Sequence, residues 1–199
     1  MNRLLQKALA AIAALSVAGG ISLAQETPEK LAQKTPDKFT QKNPEKQVYM
    51  AANAHFDTQW RWNVRQSIGE FLPNTLYQNF ALMEQYPDYK FSFEGAVKHY
   101  WTKEYYPHLY STLVKYVKEG RWYPAGASWD ANDFNVPSAE SNFKNILLAE
   151  EFYKAEFGVK SYDIMLPDCF GFGYALPSIA SHCGVFAFHT QKLKWRNNP

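Results

Sequence analysis

Five short apolar runs, VYMAANA (48–54), KFSFEG (90–95), WYPAGAS (122–128), YDIML (162–166) and VFAFH (185–189), recur along the chain with longer stretches between them. The intervening spacing predicts helix over Ser67–Gln85, interrupted at Pro73, through HYWTKEYY and PHLYSTLVKYVKEG, and from Ser138 to a stop at Gly158. On the helix from Ser138, Phe143, Ile146, Leu147, Tyr153 and Phe157 fall within one face. A shorter helix is expected from Pro177 to His182, closed by Gly184. Strands that alternate with helices build a mostly parallel sheet or an α/β barrel, because parallel neighbours need a crossover of helical length. The expected fold is α/β.

The first 47 residues follow other rules. Arg3 and Lys7 precede the apolar run ALAAIAALSVAGG, and Ser22 and Ala24 fit the small-residue positions of a secretory cleavage site before Gln25. That pattern predicts a signal peptide over 1–24 and a secreted or periplasmic protein, with no stable membrane insertion after cleavage, since the run is shorter than a spanning helix needs. Next comes an imperfect repeat, TPEKLAQK, TPDKFTQK, NPEKQVYM, with a proline every eighth residue and little apolar content. Such a segment cannot bury a core, and 25–47 is expected to be a flexible tether to a folded region over 48–199. A formal net charge of +2 with only scattered Lys/Arg pairs excludes a broad nucleic-acid face. Two cysteines, Cys169 and Cys183, are too few for a disulfide framework.

Parallel α/β folds carry their chemistry at the carboxyl ends of the strands. His55 and Asp57 close the first apolar run, Glu94 the second, Asp130 and Asp133 follow the third, Asp168 follows the fourth, and His189 ends the fifth. In AHFDTQW, residues two apart in extended backbone point the same way, so His55 and Asp57 can aim a ring nitrogen and a carboxylate at one place. In IMLPDCFGFGYALPSIASH, Asp168 follows an apolar strand and Pro167, and Phe170 with two glycines gives a flat wall and a close backbone approach. His55, Asp57 and Asp168 together form a mixed nitrogen and oxygen set that suits zinc and leaves a position for substrate. Asp133, His189 or a residue elsewhere could be a fourth ligand. His99, His108 and His182 lie in helical patterns and are expected at the surface or between helices. Trp60, and less clearly Trp129, are the tryptophans placed for stacking on a sugar.

AHFDTQW, EGRWYPAGASWDANDFNVPSAES and LPDCFGFGYALPSIASHCG occur in the order of three segments of glycoside hydrolase family 38, the retaining α-mannosidases, which the chain resembles from about Val48 to Trp195. The resemblance implies the amino-terminal part of a catalytic β/α barrel, incomplete in this chain, acting on terminal α-mannosidic bonds of an oligosaccharide or glycan. It implies that His55, Asp57 and Asp168 bind zinc and that Asp168 is also the nucleophile. It implies further that Trp60 and Phe170 line the pocket for the terminal mannose. Lys192, in TQKLKW, stands where many members carry an arginine, as a carboxylate or sugar partner; Gln59 replaces a smaller residue common before the tryptophan.

The family's remaining zinc histidine and its acid/base aspartate belong to a later part of a larger protein, so the 199-residue chain is expected to be an inactive fragment. Glu94, Asp130 and Asp133 are better read as capping, loop or subsite residues than as substitutes for that acid. Two other functions fit parts of the pattern. A metal-dependent polysaccharide deacetylase also uses His and Asp on an α/β barrel, but no His-x-x-x-His or Asp-Asp pair is present. A carbohydrate-binding remnant would keep the aromatic pocket without an acid.

Overall fold

A computed structural model describes residues 48–192, all but Val48 of which belong to the unit Tyr49–Pro199. The expected signal peptide (1–24) and tether (25–47) lie outside the described residues, as do positions 193–199. Strand β1 (Ala52–Asn53) pairs in parallel with β2 (Phe91–Glu94), which pairs in parallel with β3 (Trp122–Ala125). A second parallel pair joins β4 (Asp163–Met165) to β5 (Ala187–His189). The order β1-β2-β3 and β4-β5 follows the chain, and the architecture is α/β with parallel strands.

The strands are shorter than the apolar runs. Ala52 already pairs with Phe91, the first residue of β2, so Val48 to Met50 lie outside β1, and they stand exposed. At the other end, β3 stops at Ala125 because Gly126 turns the chain with a φ of 71°. Beyond that turn, Ala127 N donates to Asp163 O at 2.6 Å, which brings the end of β3 against β4.

Helix α1 (Val64–Gln66) opens on Asn63, whose side chain accepts from Gln66 N at 3.0 Å while Gln66 Oε1 accepts from Asn63 N at 3.1 Å. It loosens into a π-helical turn over Ser67–Phe71 and continues as α2 (Leu72–Gln85). Pro73 therefore does not interrupt the helix: the π-helical turn before it accommodates the missing N–H, and Ile68 O accepts from Tyr106 Oη at 2.7 Å. Helices α3 (Ala96–Tyr105) and α4 (Pro107–Lys118) lie between β2 and β3. Helix α5 (Ala139–Phe157) is capped by Ser138 and ends at the left-handed Gly158, and α6 (Ala175–His182) starts two residues before Pro177. The buried stripe of α5 is Asn142, Ile146, Ala149 and Tyr153, whereas Leu147 is 51% exposed, one residue round from the face expected for it.

Under β1 to β3 the core is aromatic: Phe56, Phe91, Phe93 and Trp122 pack with Leu76, Met83 and Leu113. A second cluster, Ile146, Ile164, Leu166, Leu176, Ile179 and Val185, joins β4 to α5 and α6. His99 belongs to the first region and is fully buried, with Nε2 accepting from Trp122 Nε1 at 3.1 Å and Nδ1 3.1 Å from Gly95 O. Burial lowers its pKa to about 4. Trp129 is partly buried, with ring centroids 5.7 Å from Tyr100 and 6.0 Å from Phe152, so part of its indole is used in packing. No helix among the described residues is long and apolar enough to cross a membrane.

Candidate active site

The loop after β1 brings His55 and Asp57 to the carboxyl end of the sheet, and the loop after β4 brings Asp168 to the same place. His55 Nε2 lies 3.3 Å from Asp57 Oδ1 and 3.7 Å from Asp168 Oδ2. On the other side of the ring, Nδ1 lies 2.7 Å from Oε1 of Glu94, the last residue of β2. A carboxylate can only accept, so Nδ1 carries the proton of that hydrogen bond. The Glu94 contact is the main reason the His55 pKa is raised, against the opposing effect of burial.

Glu94 is 1% exposed and continues the network inward to Lys98, whose side chain is fully buried. The Lys98 Nζ to Glu94 Oε1 distance of 3.6 Å makes an ion pair too long for a hydrogen bond. The ammonium lies 5.4 Å from the ring centroids of both Phe56 and Phe93, and burial pushes its pKa down.

Lys192 completes the polar set, with Nζ 2.9 Å from Asp168 Oδ1 and 5.6 Å from the Phe170 ring centroid. Phe170 is 59% exposed and Trp60 65%, which leaves aromatic surface open to solvent at both loops. Arg61 stacks on Trp60 at 4.5 Å from the ring centroid, and Trp62 meets it edge-on at 5.8 Å.

Other sequence candidates are used elsewhere. His189 faces Asp163 at 3.7 Å rather than the His55 cluster. Asp133 accepts from Asn135 N at 2.7 Å and closes a local turn. The Asp130 carboxylate accepts from Thr58 Oγ1 at 2.7 Å, tying the third loop to the first, and burial raises its pKa. Sequence reasoning missed the part played by Lys98. The available signal was its spacing of one helical turn from Glu94 at the end of a strand.

Among the described residues, no group of three or more His, Cys, Asp or Glu side chains is gathered tightly enough to hold a metal ion as it stands. The donor chemistry nevertheless fits one. With the Nδ1 proton engaged by Glu94, Nε2 and two carboxylates converge as acceptors, an arrangement that calls for a cation or a second proton among them. Metal bonds of 2.0–2.2 Å place tetrahedral donors about 3.3–3.6 Å apart. The His55–Asp57 separation of 3.3 Å lies in that range, and the 3.7 Å to Asp168 needs a shift on the order of a few tenths of an ångström.

The family described as "Glycosyl hydrolases family 38 N-terminal domain" matches residues 45–199. Alpha-mannosidase G of Dictyostelium discoideum is 36% identical over 151 residues, covering 76% of this chain and 14% of that protein. Alpha-mannosidase 2C1 of Homo sapiens is 33% identical over 148 residues, covering 74% of this chain and 14% of its own length. Among solved structures, an alpha-mannosidase from Enterococcus faecalis superposes with a TM-score of 0.62 at 20% identity, over 70% of this chain and 16% of that one. A 4-alpha-glucanotransferase from Thermococcus litoralis gives 0.54 at 16% identity, over 69% and 21%, and shares the fold alone. The chain thus spans 14% of the length of the curated relatives it matches.

Proposed function

The chain belongs to glycosyl hydrolase family 38, and from that premise we propose that it supplies the nucleophile and the metal-binding face of a zinc-dependent retaining α-mannosidase. The observation that carries this reading is the convergence of His55 Nε2 on Asp57 and Asp168, with its other nitrogen held by Glu94. His55, Asp57 and Asp168 would hold zinc, which when bound supplies a Lewis-acid contact for adjacent sugar hydroxyls. Carboxylate–histidine support of this kind orients metal donors generally.

In the first step, an Asp168 carboxylate oxygen forms a bond to the anomeric carbon while the glycosidic C–O bond breaks, and the leaving oxygen takes a proton from a carboxylic acid. In the second, water replaces Asp168 at that carbon and the proton returns to the acid/base. Lys192 holds Asp168 Oδ1 in a charge-assisted contact and so fixes the carboxylate plane. The exposed faces of Trp60 and Phe170 are the walls against which the apolar side of the terminal mannose packs.

The three carboxylates weighed for the acid are engaged elsewhere: Glu94 holds His55, Asp130 is engaged by Thr58, and Asp133 closes its turn. The 199-residue chain on its own is therefore expected to be inactive, with the acid/base contributed by further sequence of the family domain. Strand order that follows the chain, with helices between, supports reading the two ladders as successive parts of one incomplete β/α barrel. The amino-terminal pattern of residues 1–24 supports export, and the substrate is then an α-mannoside glycan met outside the cytoplasm. The protein expressed from its complete reading frame should hydrolyse an aryl α-mannoside, lose that activity with chelator, and lose it in Asp168→Asn. Chelator-resistant turnover, or an Asp168→Asn variant retaining more than a few per cent of it, would refute the assignment. Sugar binding without any turnover would leave a lectin-like remnant instead.

A further inference from the structure

We propose that the buried Glu94–Lys98 pair is a positioning device for His55: Glu94 keeps the imidazole proton on Nδ1 so that Nε2 faces Asp57 and Asp168 as a lone-pair donor, and Lys98 holds Glu94 in place. This deepens the zinc reading and rests on it.

Three observations converge. Glu94 ends the strand flanked on both sides, in register with Ala125 of β3, so its backbone is fixed by the ladder rather than by a loop. Its Oε1 is shared between His55 Nδ1 at 2.7 Å and Lys98 Nζ at 3.6 Å, while neither Glu94 Oε2 nor Lys98 Nζ has a hydrogen-bond partner in the structure. The turn that leads to Lys98 calls for glycine, because Gly95 has a φ of 81°, a conformation that other residues rarely adopt.

A buried ion pair with unsatisfied atoms is a poor way to stabilise a fold, since apolar residues of similar volume usually do as well or better. Here the pair touches the imidazole that faces the site, and metal-ligating histidines depend on such outer partners for orientation. A purely structural role and a positioning role therefore predict opposite results when both charges are removed together.

The test compares the wild type with Glu94→Gln and with Glu94→Gln/Lys98→Met, each expressed from the complete reading frame, using zinc alone as the probe. Zinc affinity by chelator competition should fall about 10- to 100-fold in both variants. The melting midpoint of the metal-free double variant should be unchanged or higher. In metal-free wild type at pH 8, nitrogen-15 NMR of histidine should show His55 with its proton on Nδ1, a readout that needs neither zinc nor a variant. A proton on Nε2, or tautomers averaging as in an exposed histidine, would overturn the proposal; so would unchanged zinc affinity in a folded double variant. Failure of the wild type to bind zinc at all would instead refute the zinc reading beneath it.

Discussion

Acidification should weaken the fold through His99, and the size of the effect follows from its surroundings. The imidazole is packed against Phe93, Trp122, Tyr153 and Phe157, with Lys98 one residue away, and its pKa falls from 6.5 to about 4. The unfolded chain then binds a proton that the folded chain refuses, so stability is lost as pH falls below 6.5 and the loss grows until about pH 4. Between pH 7.5 and pH 5 that linkage costs about 2 kcal/mol.

Glu150 acts in the opposite sense. Burial raises its carboxyl from 4.5 to about 7, so the folded state binds the extra proton and gains stability as pH falls through 7. Glu150 keeps part of its side chain in solvent, and discounting for screening leaves about 1 kcal/mol over the same interval. The comparison with a His99 variant isolates the histidine, because Glu150 contributes equally to both proteins. Urea denaturation at pH 7.5 and pH 5 should show the wild type losing stability relative to His99→Gln by about 2 kcal/mol more on acidification. Equal pH dependence in the two proteins would refute the buried, neutral histidine.

Gly126→Ala should destabilise the chain by about 1–3 kcal/mol, because the residue has a φ of 71° and the added Cβ would lie 3.2 Å from Met165 Cβ. A urea midpoint matching the wild type would show that the β3 to β4 turn tolerates a side chain. Leu113→Ala, at a site with no exposure, should cost about 2–5 kcal/mol, read from the same denaturation curves. Mass spectrometry of exported material should find its amino terminus at or near Gln25; an intact Met1 on that material would contradict signal cleavage.

Alternation of apolar runs and helical patterns was enough to read the parallel α/β fold, because each run was short, bounded by turn residues and followed by a polar group. Strand ends were less legible. Tyr49 and Met50 look as strand-like as Ala52, and only the starting point of β2 decides that β1 begins at Ala52. Pro73 illustrates the same limit, since a π-helical turn immediately before it lets the helix continue.

At the site, the two-residue spacing of His55 and Asp57 and the turn after Asp168 made their convergence readable. The inward network was not. Glu94 carries the same letter whether it caps a helix or holds a histidine, and Lys98 looks like a surface residue of α3 until tertiary packing encloses it. Trp129 was no more legible, because its contacts with Tyr100 and Phe152 join residues far apart in the chain.

The central claim is that His55 is one member of a metal-binding set, and zinc content tests it most directly. The protein expressed from its complete reading frame, saturated with zinc, freed of excess metal and analysed by mass spectrometry of the elements, should retain zinc in equimolar amount. His55→Ala should retain almost none, and His189→Ala, whose ring faces Asp163, should match the wild type. Wild-type stoichiometry in His55→Ala, or loss of zinc in His189→Ala alone, would contradict the account.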